Sequence, residues 1–83
     1  MRAEQMLPDH ADRIEVGGTT IRKGTVGAFI ANARVLADPG ASAAERATAE
    51  ADLIDTLPAL RALGLFDVLE VRDAALRAWL DAR

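Results

Sequence analysis

Residues 13–22, Arg13-Ile14-Glu15-Val16-Gly17-Gly18-Thr19-Thr20-Ile21-Arg22, leave this chain little freedom in how it begins to fold. Ile14 and Val16 alternate with charged neighbours, which makes one side of an extended segment apolar and the other wet. Gly17-Gly18 supplies the positive φ angles that a two-residue primed turn requires. The stretch reads as a β-hairpin over about residues 13–23. Two strands alone are marginal in water, so the apolar side of the hairpin has to rest on another element.

The next segment is the nearest candidate. From Thr25 onward, Val26, Phe29, Ile30, Ala33 and Leu36 or Ala37 recur at helical spacing, with Ala28, Ala31 and Val35 as a second apolar strip. Only Asn32 and Arg34 interrupt the apolar surface before Asp38, so the helix is expected to be covered on most of its circumference and to form the centre of the domain. Thr25 or Gly24 serves as its N-cap, and Asp38-Pro39-Gly40 ends it, because a residue before proline is pushed out of the helical region.

Ser42-Ala43-Ala44-Glu45 matches a capping box, serine at the cap and glutamate three residues on. The helix it opens carries Ala47, Ala51, Ile54 and Leu57 on one face, widened by Leu53, with Glu45, Arg46, Asp52 and Asp55 toward water. Pro58 cannot donate to the carbonyl of Ile54, so the helical stretch 43–63 is expected to stop near Thr56 and restart at Pro58. Gly64 followed by Leu65 closes it, the glycine left-handed and the apolar residue folded back. Residues 66–72, Phe-Asp-Val-Leu-Glu-Val-Arg, fit either a short strand or a helical turn capped by Asp67. A last helix, 73–82, is capped by Asp73 and turns Leu76, Trp79 and Leu80 inward. Residues 1–12, with Pro8, His10 and scattered charges, follow no period and read as a flexible arm. The expected fold is a small single α+β domain over 13–83, an N-terminal β-hairpin packed on a bundle of three to four short helices. The hairpin is expected to lie on helix 25–37.

Composition limits what such a domain does. At 83 residues the chain buries only about 60 to 65 per cent of its unfolded surface, and with no cysteine it has no disulfide or thiolate metal site to make up for a small core. Good packing, or a second copy, must supply the stability. Hydrophobic residues make up 51 per cent of the chain against 28 per cent charged, well above a disordered composition. The net charge of −3 and ten scattered cations argue against nucleic-acid binding, whose footprint is a clustered basic face. One lysine among those ten cations, together with abundant alanine, suits a GC-rich bacterial genome. No uncharged stretch approaches the ~20 apolar residues of a membrane helix, and the first fifteen residues carry four acids and no hydrophobic block. A cytoplasmic location without membrane contact is expected.

Chemistry-bearing residues are sparse. Arg22 and Lys23 beside Gly24 and Gly27 place cations and free backbone amides at a helix start, a possible anion site for a phosphate or carboxylate metabolite. The spacing matches neither GxxxxGK with serine or threonine nor GxGxxG between a strand and a helix. The plainer reading is that Gly24 makes the turn out of the hairpin and Gly27 lets the helix approach a strand closely. His10, the one histidine, is flanked by Asp9 and Asp12, but no further imidazole or thiolate completes a metal shell. Ser42, the one serine, is accounted for by its cap, and Asp52 with Asp55 lies on a solvated face. No catalytic residue, metal or cofactor is expected.

Contact is the more promising direction. Trp79 is either core filling or the hot spot of an interface made with Leu76 and Leu80, and Ala43 with Ala47 offers a close-approach face. These features favour a non-enzymatic interaction or regulatory module, a homo-oligomer or the companion of a larger protein; the alternative is a binder of a small anionic metabolite at residues 22–27.

Two stretches, GTVGAFIANARVLAD at 24–38 and LPALRALGLFDV at 57–68, resemble a family of small uncharacterised bacterial proteins classed only as a domain of unknown function. The matching region, about 21–68, is a little over half the chain. Where the relatives continue into a proline-rich acidic segment, this chain has Val68-Leu69-Glu70-Val71. The resemblance implies a shared scaffold that includes Gly24, Gly27, Pro58 and the Gly64-Leu65-Phe66 turn, and brings no activity, cofactor or catalytic residue with it.

Overall fold

All of residues 1–83 are described in the computed structural model. The arm contains one helical turn, α1 (Ala3–Met6), with no buried residue. Its end is tied to the hairpin: Lys23 N donates to the carbonyl of Asp12 at 2.6 Å and Lys23 Nζ to that of Asp9 at 3.1 Å. The hairpin pairs β1 (Arg13–Val16) antiparallel with β2 (Thr19–Arg22), Ile14 opposite Ile21 and Val16 opposite Thr19. Gly17 and Gly18 both hold positive φ, 55° and 81°, the conformation the primed turn demands. Across the strands the Thr20 hydroxyl donates to the Glu15 carboxylate.

Gly24, at φ 87°, takes the chain from β2 into α2 (Thr25–Ala37) as its N-cap. After a short loop, α3 (Ala43–Leu63) returns alongside α2 and is the element that β2 touches. The hairpin therefore rests on α3 and not, as expected, on the helix that follows it. The centre of the domain shifts in the same way. Only Phe29 of α2 is buried, whereas α3 buries Ala49, Leu53, Leu57 and Leu60, spaced four, four and three residues apart along one face. Of the face expected to be inside, Leu57 and the flanking Leu53 are buried, while Ala47, Ala51 and Ile54 are exposed. The helix is turned so that Ala49 and Leu60 join those two leucines inside, in place of Ala47, Ala51 and Ile54.

Pro58 does not break α3. The helix runs unbroken through it for 21 residues. A proline inside a helix costs about 3 kcal/mol, but burying a leucine returns about 1.5–3 kcal/mol, and Leu53, Leu57 and Leu60 all lie inside. Pro58 and Ile54 are exposed, so water reaches the carbonyl that the proline leaves without a donor. The Thr56 hydroxyl adds a bond to Leu53 O at 3.0 Å.

The capping box at the start of α3 forms on both sides: Glu45 N donates to Ser42 Oγ and Ser42 N to Glu45 Oε1, each at 3.1 Å. The hydrogen bond from the Ser42 backbone, then the Ser42 side chain, holds the Glu45 carboxyl below its ordinary value of 4.5. Arg46 joins the two helices by donating from Nη1 to Leu36 O at 2.9 Å and from Nη2 to Asp38 O at 2.7 Å, so a side chain of α3 satisfies carbonyls at the end of α2.

Gly64, left-handed at φ 85°, ends α3 and begins α4 (Leu65–Val68). The 66–72 segment thus starts as a helical turn, capped by Gly64 and not by Asp67, and continues without joining the sheet. Asp73 caps α5 (Ala74–Asp81), its Oδ1 accepting from Leu76 N at 2.8 Å. The core joins Phe29, Leu53, Leu57, Leu60 and Leu80, with Leu65, Phe66, Leu76 and Trp79 packed at its margin. No helix is long and apolar enough to cross a membrane.

Candidate functional site

α2 presents more apolar surface than the rest of the chain covers. Val26 and Ile30 are 37 and 48 per cent exposed, and they run with Ala33 and Ala37 in a stripe spaced four, three and four residues apart. Facing this stripe across a gap stand Leu76 and Trp79 of α5 and the link Leu69-Glu70-Val71. Between them lies a groove of about 570 Å³, floored by Phe29 and Phe66, whose rings meet edge to face with centroids 6.0 Å apart. Thirteen of its nineteen lining residues are hydrophobic, a lining suited to apolar groups.

The walls are held by charges placed around the groove. Arg77 donates to Val71 O at 3.0 Å and pairs with Glu70 at 3.1 Å, fixing the link, and the Arg83 guanidinium lies 4.4 Å from the Trp79 ring centroid. Arg46 is committed to the end of α2 and Asp73 to its cap. Arg34, Glu50 and Arg72 line the groove with no hydrogen bond or ion pair of their own within the chain. A second hollow, of about 520 Å³ and more polar, adjoins the first through Phe66, Leu69, Glu70 and Val71.

Among the candidate interface residues, Trp79 and Leu76 line this groove, half-buried, while Leu80 is in the core. Ala43 and Ala47 are exposed on α3 and do not line it. Arg22, Lys23 and Gly24 come together at the start of α2, but all four candidate anion ligands, Gly27 included, are exposed, and Lys23 is turned onto Asp9 O. Gly27 makes no close approach to a strand: a Cβ added there would meet nothing within 4 Å. His10 is exposed on the arm, and no three His, Asp or Glu side chains converge anywhere. Ser42 Oγ accepts the Glu45 amide, as a cap does.

The groove itself was not expected. Its signal lay in α2, a helix apolar around nearly its whole circumference inside a chain too short to cover every side of it. The chain matches no protein-family model, no curated protein and no solved structure.

Proposed function

We propose that this chain is a cytoplasmic, non-enzymatic interaction module whose contact surface is the apolar groove between α2 and the α4–α5 arm. The observation that carries the reading is uncovered surface. A compact monomer of 8.8 kDa exposes about 4,800 Å², and this chain exposes 5852 Å². Part of the excess belongs to residues 1–12, where only Leu7 and Ala11 are not fully exposed; the groove and its rim carry another part. Side chains such as Ile30 and Trp79 at the mouth of a groove are the anchors that protein interfaces use. The shared scaffold implied by the resemblance to the uncharacterised family is compatible with that role, since it includes the turns that set α2 against α4.

The test is a photo-crosslinking side chain substituted for Ile30 in the source cells, with one at Thr48, outside the groove, as control. Covalent capture of any polypeptide, itself or another, at 30 and not at 48 is expected. No capture at 30 overturns the reading.

A further inference from the structure

We propose that the occupant of the groove is α2 of a second copy, the two helices crossing antiparallel about a two-fold axis that passes between Ile30 and Ala33. The proposal rests on the reading of the groove as a protein-contact surface and adds which protein it contacts.

The first support is the size of what is left uncovered. The groove and its rim carry part of the chain's excess of about 1,000 Å² over a compact monomer, surface of the kind an interface covers, one partner's share of a standard one being about 800 Å². The chain buries only seven of its residues below solvent, a thin core whose stability a second copy would raise by mass action.

The second is the shape of the stripe. Val26 and Ile30 are large and stand at the N-terminal end; Ala33 and Ala37 are small and stand at the C-terminal end. Antiparallel pairing sets Val26 against Ala37 of the other copy and Ile30 against its Ala33, so large meets small at every step. A parallel pairing would set large on large at one end and leave voids at the other. Each copy then slides the ridge of its α2 along the other's groove, between α2 and the wall of Leu76 and Trp79. Antiparallel helices also oppose their macrodipoles favourably.

The third is charge. Arg34, Arg72 and Glu50, the rim groups without partners in their own chain, include both signs. In a two-fold pair these rim groups border the shared interface, where charges of both signs are available to pair across it, and an isologous contact repeats each such pair twice.

The absence of cysteine from the chain makes the register directly measurable. Val26→Cys and Ala37→Cys are prepared as two separate full-length variants, and native mass spectrometry reports stoichiometry of the wild-type chain and of Ile30→Glu at tens of micromolar. The expected result is a wild-type dimer, an Ile30→Glu monomer with unchanged helical circular dichroism, and a disulfide-linked dimer from the mixture of the two cysteine variants that neither gives alone. A wild-type monomer, with or without a retained small molecule, overturns the pairing. So does a dimer that persists in Ile30→Glu, or a mixture that yields no heterodimeric disulfide. If the chain is monomeric yet position 30 still captures another polypeptide in cells, the pairing fails and the interaction module stands; if position 30 captures nothing, both fail.

Discussion

α2 and α3 are neighbours in sequence and in space, yet they use their residues in opposite ways. α2 is apolar on almost every side and buries a single side chain fully, Phe29. α3 alternates alanines with acids and arginines and buries four residues, two of its leucines to zero exposure. The difference teaches that a helix becomes the centre of a small domain by position, not by apolar content. α3 is the element that α2, β2 and α4 all reach, and a few leucines on the side they share are sufficient.

The sharpest way to break this contrast is to remove equivalent volume from each helix. Leu53→Ala is expected to cost about 3–4 kcal/mol in urea unfolding, since its side chain is fully buried and the site cannot collapse around the loss. Ile30→Ala, measured at protein concentrations low enough to keep the chain monomeric, is expected to cost less than about 1 kcal/mol. Equal losses would mean that α2 is as much the core as α3.

Each helix also carries one residue that helices avoid, and both are exposed: Gly27 in α2 and Pro58 in α3. Pro58→Ala restores the hydrogen bond to Ile54 O and is expected to stabilise by about 1–2 kcal/mol, the ~3 kcal/mol intrinsic cost of proline being partly offset by the greater freedom of the unfolded chain. Gly27→Ala, with open space where its Cβ would go, is expected to stabilise by about 0.5–1 kcal/mol. A destabilised Pro58→Ala protein would show that α3 is shaped by its proline and not merely tolerant of it.

The smallest effect distinguishes how the helices start, α2 from a glycine with no side-chain cap and α3 from a capping box. Because the Glu45 carboxyl is held below 4.5 in the folded chain, its contribution is fully present above the ordinary glutamate range and fades as pH falls through the lowered folded value. Glu45→Ala is therefore expected to lower the midpoint of thermal unfolding at pH 7, and the gap to the parent to close on acidification below about pH 4. A gap that persists at pH 2 would assign Glu45 a role other than its carboxylate.

The same contrast explains what was legible beforehand. Local rules carried far. Gly17-Gly18, Ser42 with Glu45, Gly64 and Asp73 each specify a turn or cap through their own few neighbours, and every one formed where the residues required it. Choices among faces depend on partners far along the chain and could not be read the same way. The hydrophobic period of α3 admits two faces about a third of a turn apart, both bordered by Leu53 and Leu57, and only the packing of α2 and β2 against it selects the one that adds Ala49 and Leu60. Pro58 follows the same pattern, its local penalty being visible in the sequence and its tertiary compensation not. The groove was hidden similarly, because an unoccupied side of α2 looks in sequence the same as an occupied one.

α5 has one fully inserted side chain, Leu80, and spans eight residues. A helix that short has no independent stability in water, because nucleation consumes most of what its few hydrogen bonds return. Its helicity and the stance of Trp79 on the groove wall therefore depend on the contacts that Leu80, Leu76 and Trp79 make with the core. One wall of the groove is thus no more stable than the seating of the helix that forms it.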